Sequence, residues 1–314
     1  MNTAGIPQAQ RTTQDRGADA QMTSQQGARA KLLGLIEALL AYGVLQAMIL
    51  ALRSTSLVQW EFENLGWSYT GGLLFIVLPA LVIWLGRRNW ADYGVSLANW
   101  RTNLDVGIKA FLVSIIPFVL GVSGAAALNL DYRQLAGGAW IALTNIAAIA
   151  LMIWILNRHK PVASGRPNVI LIAVLLVLPI AMALWMRKLS LIIISTVIWQ
   201  FVLSGFGEEF MFRGYLQGRL NQAFGRPWQA FGIRFGPGLL ITSALFGLLH
   251  AFNGYSAATG LAGMYWGWAL WTTLGGVLLG IIREKTRTIL ASGIAHGLPD
   301  AIGEPLVKLF GMPI

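Results

Sequence analysis

Apolar runs long enough to enter a bilayer follow one another along most of this chain, at roughly 32–52, 70–86, 106–128, 140–156, 169–186, 190–212, 239–252, 261–282 and 289–310. A helix crosses the hydrocarbon core with about 20 predominantly apolar residues. In lipid the backbone must satisfy its own polar groups, which leaves helices and closed barrels as the spanning structures. The runs predict an all-α, polytopic membrane protein with eight or nine transmembrane helices. The lower number allows for the short seventh run and for the tight hairpin between the fifth and sixth.

Composition agrees. The 314 residues are 56% hydrophobic and 11% charged, with a mean hydropathy of +0.62. A soluble domain carries about a quarter charged residues. The net charge of +10 does not point to nucleic acid, because the basic residues sit between apolar runs. All but five of the 23 Lys and Arg fall on one side of the alternating spans; the five are Arg53, Arg133, Arg187, Lys188 and Lys308. Such asymmetry places the basic side, and the N-terminus with it, in the cytoplasm. Trp60, Trp67, Trp90 and Trp100 fall at span ends, as an aromatic belt does. With no cysteine, disulfides, thiolate metal sites and a Cys nucleophile are excluded. Residues 1–30 are polar and lack apolar periodicity, so they read as a disordered tail, retained because a signal peptide would carry its apolar core nearer the start.

Against this background, the segment Gly-Phe-Gly-Glu-Glu-Phe-Met-Phe-Arg-Gly-Tyr at 205–215 needs a reason. Ionisable groups at membrane depth are costly and face a protein interior or a watery cavity. Helical spacing pairs Glu209 with Arg213 at i, i+4 and turns Glu208 about 100° away, leaving it the freer carboxylate. The same spacing pairs Phe246 with His250 and His296 with Asp300. Taken alone, the Glu-Glu-Arg cluster could be an interfacial salt bridge, and either histidine a hydrogen bond between helices. The third histidine, His159, reads as a basic loop residue. Pro299 and Pro305 would kink the last helix beside His296 and free carbonyls to line a cavity. Gly276 and Gly280 suggest a close helix contact.

Two histidines and a desolvated carboxylate can hydrolyse a bond. The carboxylate takes a proton from water, one imidazole shares that water, and the other donates to a developing oxyanion. Glu208, His250 and His296 also make a His₂Glu set, a known zinc pattern, although no His-Glu-x-x-His helix is present. A proton-coupled transporter could use the same residues as a relay, but no internal repeat is visible.

Glu208-Glu209-x-x-x-Arg213, Phe246-x-x-x-His250 and His296-x-x-x-Asp300, in this order on hydrophobic helices, resemble the CPBP family of CAAX proteases and bacteriocin-processing enzymes. The resemblance implies an intramembrane endopeptidase acting on a membrane-associated protein or peptide, with its site facing the cytosol. It implies Glu208 as general base, His250 holding the water, Glu209 and Arg213 supporting the helix, and His296 with residue 300 at the oxyanion. Eukaryotic relatives carry Asn at that last place. Asp300 cannot donate when ionised, so orienting His296 suits it better. Residues 31–188 then read as accessory helices and 189–314 as the catalytic membrane domain. The preferred reading needs no cofactor, with zinc as the alternative. The partners are the lipid bilayer and the substrate, and the location is the plasma membrane of a prokaryote. A proteolytically idle immunity or scaffold protein is the other reading. The three principal residues are expected to converge on one cavity open to the basic side.

Overall fold

The computed structural model describes the backbone of residues 13–158 and 160–311, with side chains from residue 27 onward. Part of the expected tail, residues 1–12, and the expected loop residue His159 lie outside the described residues. The helices are α1 (Thr13–Leu52), α2 (Ser56–Leu65), α3 (Tyr69–Leu85), α4 (Trp100–Ala127), α5 (Leu135–Arg158) and α6 (Gly165–Trp185). They continue with α7 (Leu191–Phe224), α8 (Pro237–Ala251), α9 (Trp266–Thr286) and α10 (Ile289–Phe310). α1 therefore reaches back into the polar stretch before residue 30.

Every apolar run lies on a helix, yet fewer helices than expected are long and apolar enough to span. Six meet that description among the described residues, or seven if α2 and α3, which meet at 113°, form one bent span. The difference from eight or nine is one of length and composition. α3 has only 17 residues. α9 is diluted by Trp266, Trp268, Trp271, Thr272 and Thr273 and ends on Arg283, Glu284 and Lys285. α10 carries His296, Asp300, Glu304 and Lys308 along one side. The last two helices lose hydropathy because they line and brace the site.

The helix ends gather at two poles. At one, Glu37 of α1 receives Arg88 and, at 2.7 Å, Arg219 Nε; the Tyr215 hydroxyl donates to it at 2.9 Å. At the same pole Glu284 accepts from Arg226 (2.5 Å), Asn221 (2.6 Å) and Gln217 (2.8 Å), and the Ile289 amide donates to Gly94 O at 3.1 Å. At the other, Arg53 donates to Phe252 O at 3.0 Å, Lys188 to Leu309 O at 2.9 Å, and the Gly267 amide to Arg133 O at 2.9 Å. These are the two sides into which the basic residues were sorted. Arg213 is the exception, being wholly buried in the core rather than in a loop.

A small hairpin, β1 (Trp228–Ala230) and β2 (Ile233–Phe235), lies at the basic pole. Its two-residue turn, Phe231-Gly232, has positive φ at both positions (50° and 72°), as the tightest hairpin turns require. Of the four expected belt residues, Trp60, Trp90 and Trp100 are exposed. Trp67 instead stacks on Trp199 at 4.6 Å.

Three close helix contacts set the core. Gly276 and Gly280 let α9 approach Ser243 and Leu239 of α8, as their spacing suggested. Across the bundle, a Cβ on Gly205 would lie 2.5 Å from the Gly297 Cα, so α7 and α10 meet backbone to backbone.

Candidate active site

α7 is not a regular α-helix through its middle. Trp199–Glu208 and Phe210–Leu216 are wound in wider, π-helical turns. Such turns are rare and concentrate at functional sites. Both carboxylates of this segment approach His296 of α10.

Glu209 and Arg213 form the expected pair, with Arg213 Nη1 3.0 Å from Glu209 Oε1 and neither side chain exposed. The contact is off the donor axis, an ion pair rather than a well-formed hydrogen bond. The guanidinium also lies over the Phe246 ring at 4.1 Å, a desolvated cation–π contact. Gly276 provides the room, since a Cβ there would stand 3.1 Å from Arg213 Nη2.

His296 sits among three carboxylates. Its Nδ1 is 3.4 Å from Glu209 Oε1, while Nε2 is 3.9 Å from Glu208 Oε2 and 3.6 Å from Asp300 Oδ2. Glu209 thus holds both the arginine and one edge of the histidine, a second contact that helical spacing did not reveal. Asp300 lies beside His296, one turn on, at the place from which it can orient the ring.

His250 is fixed differently. Its Nδ1 lies 2.8 Å from the Phe246 carbonyl oxygen, which can only accept, so Nδ1 carries the proton and a neutral ring keeps its lone pair on Nε2. Phe246 touches both histidine rings, at 4.7 Å from His250 and 5.7 Å from His296. One phenyl ring therefore spaces the two imidazoles and carries the arginine. Glu208 Oε2 is buried without a protein hydrogen-bond partner.

The sequence-derived residues come together around His296 and Phe246. Among the described residues no three His, Asp or Glu side chains are placed to hold an ion. His250 has one nitrogen committed to its own helix, and His296 is wedged between Glu209 and the Glu208–Asp300 side.

Exposure around the cluster is uneven. Toward the basic pole, Met211, Phe212, Tyr215, Leu216 and Gln217 are at most 1% exposed, and Ser292 is wholly buried. Away from it, the Asp300 side chain is 36% exposed, and Ile302, Gly303 and Glu304 are partly open. The accessible edge of the cluster is at Asp300. The two prolines do not break α10, which is continuous from Ile289 to Phe310.

Gly205, Gly297 and Gly293 were missed as site-forming residues. With 36 glycines in the chain, only knowledge of which helix faces meet could have singled them out.

The fold and cluster define a polytopic helical membrane protein with a buried carboxylate–histidine centre where α7, α8 and α10 converge. Residues 190–302 match the model of the Rce1-like family, type II CAAX prenyl endopeptidase, and this segment is similar to that family. The match contains Glu208, Glu209, Arg213, Phe246, His250, His296 and Asp300, and leaves α1–α6 outside it. No curated protein and no solved structure matches the chain.

Proposed function

We propose that the chain is a metal-independent intramembrane endopeptidase, with residues 189–314 as its catalytic unit and α1–α6 as accessory helices. The observation that carries this reading is the pairing of a buried, unpartnered Glu208 oxygen with His296 Nε2 at 3.9 Å. That distance is too long for a direct hydrogen bond and suits a water or carbonyl oxygen held between them.

In this mechanism Glu208 takes a proton from water, and the resulting hydroxide attacks the scissile carbonyl carbon. The lone pair on His250 Nε2 accepts the second water proton as a hydrogen bond and aims the nucleophile. His296 donates to the developing oxyanion, with Glu209 and Asp300 holding the ring in place. Collapse of the tetrahedral intermediate breaks the C–N bond, and Glu208 returns its proton to the leaving amine. Glu209 and Arg213 act as positioning residues. The substrate is a membrane-associated protein or peptide, and the location is a prokaryotic plasma membrane with the N-terminus in the cytoplasm.

The test is a comparison of protein N-termini in membranes carrying the native chain and Glu208→Gln. New termini that depend on Glu208 support the peptidase. Identical sets of termini would favour the idle scaffold.

A further inference from the structure

Among the described residues two arginines are buried, and only one has a carboxylate of its own. Arg213 has Glu209. Arg283, in the last turn of α9, is 2% exposed and makes no hydrogen bond or ion pair among the described residues. Its Nε is shut off from solvent without a partner, while the two Nη nitrogens, also unbonded, keep some accessible surface.

The neighbouring acceptors are spent. Glu284 receives Gln217, Asn221, Arg226 and Arg287. The guanidinium packs on Gly94, where a Cβ would stand 2.7 Å from Nε and 2.9 Å from Nη2. Gly94 O is already engaged by the Ile289 amide and the Thr288 hydroxyl, both at 3.1 Å. The C-terminal end of α9 favours a cation, but by far less than an uncompensated buried charge costs.

Charge and shape around Arg283 select an anion with an apolar tail. Arg226 and Arg287 flank Glu284 at 2.5 and 3.4 Å, so three arginines and one carboxylate give this cluster a net charge of +2. Both of those arginines repel the Arg283 charge. α10 begins two residues beyond Arg287, with its positive end at Ile289. Past Gly94 the chain turns apolar and outward: Val95, Leu97 and Trp100 are exposed, Leu97 at 77%, and Arg101 lies over the Trp100 ring at 5.4 Å. The Thr288 hydroxyl is also 3.1 Å from Ser96 O, which fastens this shelf beside the arginines.

We infer that Arg283, with Arg226 and Arg287, binds the phosphate of an anionic phospholipid from the leaflet at the basic pole, with its acyl chains along Val95, Leu97 and Trp100. The arginine fork matches phosphate oxygens, and a lone inorganic phosphate would leave the apolar shelf unused. The lipid ties the segment after Gly94 and the end of α9 to the start of α10, the helix that carries His296. None of this depends on the peptidase reading.

The test is native mass spectrometry of the full chain, released from detergent micelles containing phosphatidylglycerol or phosphatidylcholine. The expected result is one retained phosphatidylglycerol per chain and little phosphatidylcholine. Losing hydrogen bonds to a charged phosphate should lower that retention about ten-fold in Arg283→Gln. Arg234→Gln, which removes an exposed arginine of the hairpin at the same pole, should leave it unchanged. Should Arg283→Gln fail to fold, Arg287→Gln alters a side chain that is 52% exposed and should lower retention about three-fold, as a weaker charged contact does. Equal retention of the two lipids overturns the inference, as does an equal loss in the Arg283 and Arg234 variants or no loss in Arg287→Gln. Thermal unfolding supplies the last arm: inorganic phosphate that protects the native chain as well as phosphatidylglycerol does would overturn the lipid in favour of a simple anion.

Discussion

Gly205 of α7 and Gly297 of α10 touch backbone to backbone, one turn from Glu208 and next to His296. No other residue type permits that approach, because a Cβ at Gly205 would stand 2.5 Å from the Gly297 Cα. The 3.9 Å separation of Glu208 and His296 depends on it.

Gly205→Ala therefore forces the helices apart. The expected outcome is a stability loss of about 1–3 kcal/mol, typical of overpacking, with a much larger fall in kcat from the displaced Glu208–His296 pair. Gly303→Ala on the same helix has open space and should change neither. Thermal unfolding in detergent beside a cleavage assay measures both quantities. Equal behaviour of the two alanine variants would show that the crossing does not set the site.

The two adjacent glutamates should separate by phenotype. Glu209→Gln leaves the wholly buried Arg213 without its counter-charge. Breaking a buried pair from one side costs about 3–5 kcal/mol, so low expression and a lowered Tm are expected. Glu208→Gln should fold normally and lose turnover, since Glu208 Oε2 has no protein partner to lose. Equal, mild losses of stability would mean that the roles are assigned wrongly.

Much of this site was legible before any coordinates. Residues at i, i+4 on a helix must share a face, and that alone paired Glu209 with Arg213, Phe246 with His250 and His296 with Asp300. What lay hidden depended on neighbours far away in sequence. Helical spacing could not show that Glu209 also reaches His296, because that contact is made across two helices through a widened turn. Glu37 was passed over as an acid in the first apolar run, although it joins α1 to Arg88 and Arg219. Runs such as 289–310 were judged on their apolar residues, whereas the polar residues on the same helix keep it out of the six spans defined by length and hydropathy.

Chelation separates the two mechanisms left open by composition. With no three ligands suitably placed among the described residues, activity should persist within two-fold after exhaustive treatment with a membrane-permeant chelator. Loss under chelator with recovery on added zinc would restore the metal alternative and leave the peptidase assignment intact.

Glu284 should matter for stability alone. It is a fully buried acceptor for Arg226, Asn221 and Gln217, and joins α9 to the end of α7 well away from Glu208. Hydrogen bonds to charged groups contribute about 1.5–3 kcal/mol. Glu284→Gln should lower Tm by a comparable free energy while the KM of the surviving fraction stays unchanged. A selective loss of kcat without a change in Tm would place Glu284 in the catalytic path instead.

The Glu209–Arg213 pair has a further consequence, for how such a chain is made. Admitting a lone arginine to the centre of a membrane segment costs about 2.5–3.5 kcal/mol during insertion. Because its partner lies one turn earlier on the same helix, neutralisation is available to the nascent segment as it leaves the translocon. It does not have to wait for α8 or α10, which are synthesised later. His296 has no such local shelter from the carboxylates of α7, so the reactive centre is assembled only when the last helix docks. A half-made chain therefore carries its most expensive charge already matched, and its catalytic machinery still unassembled.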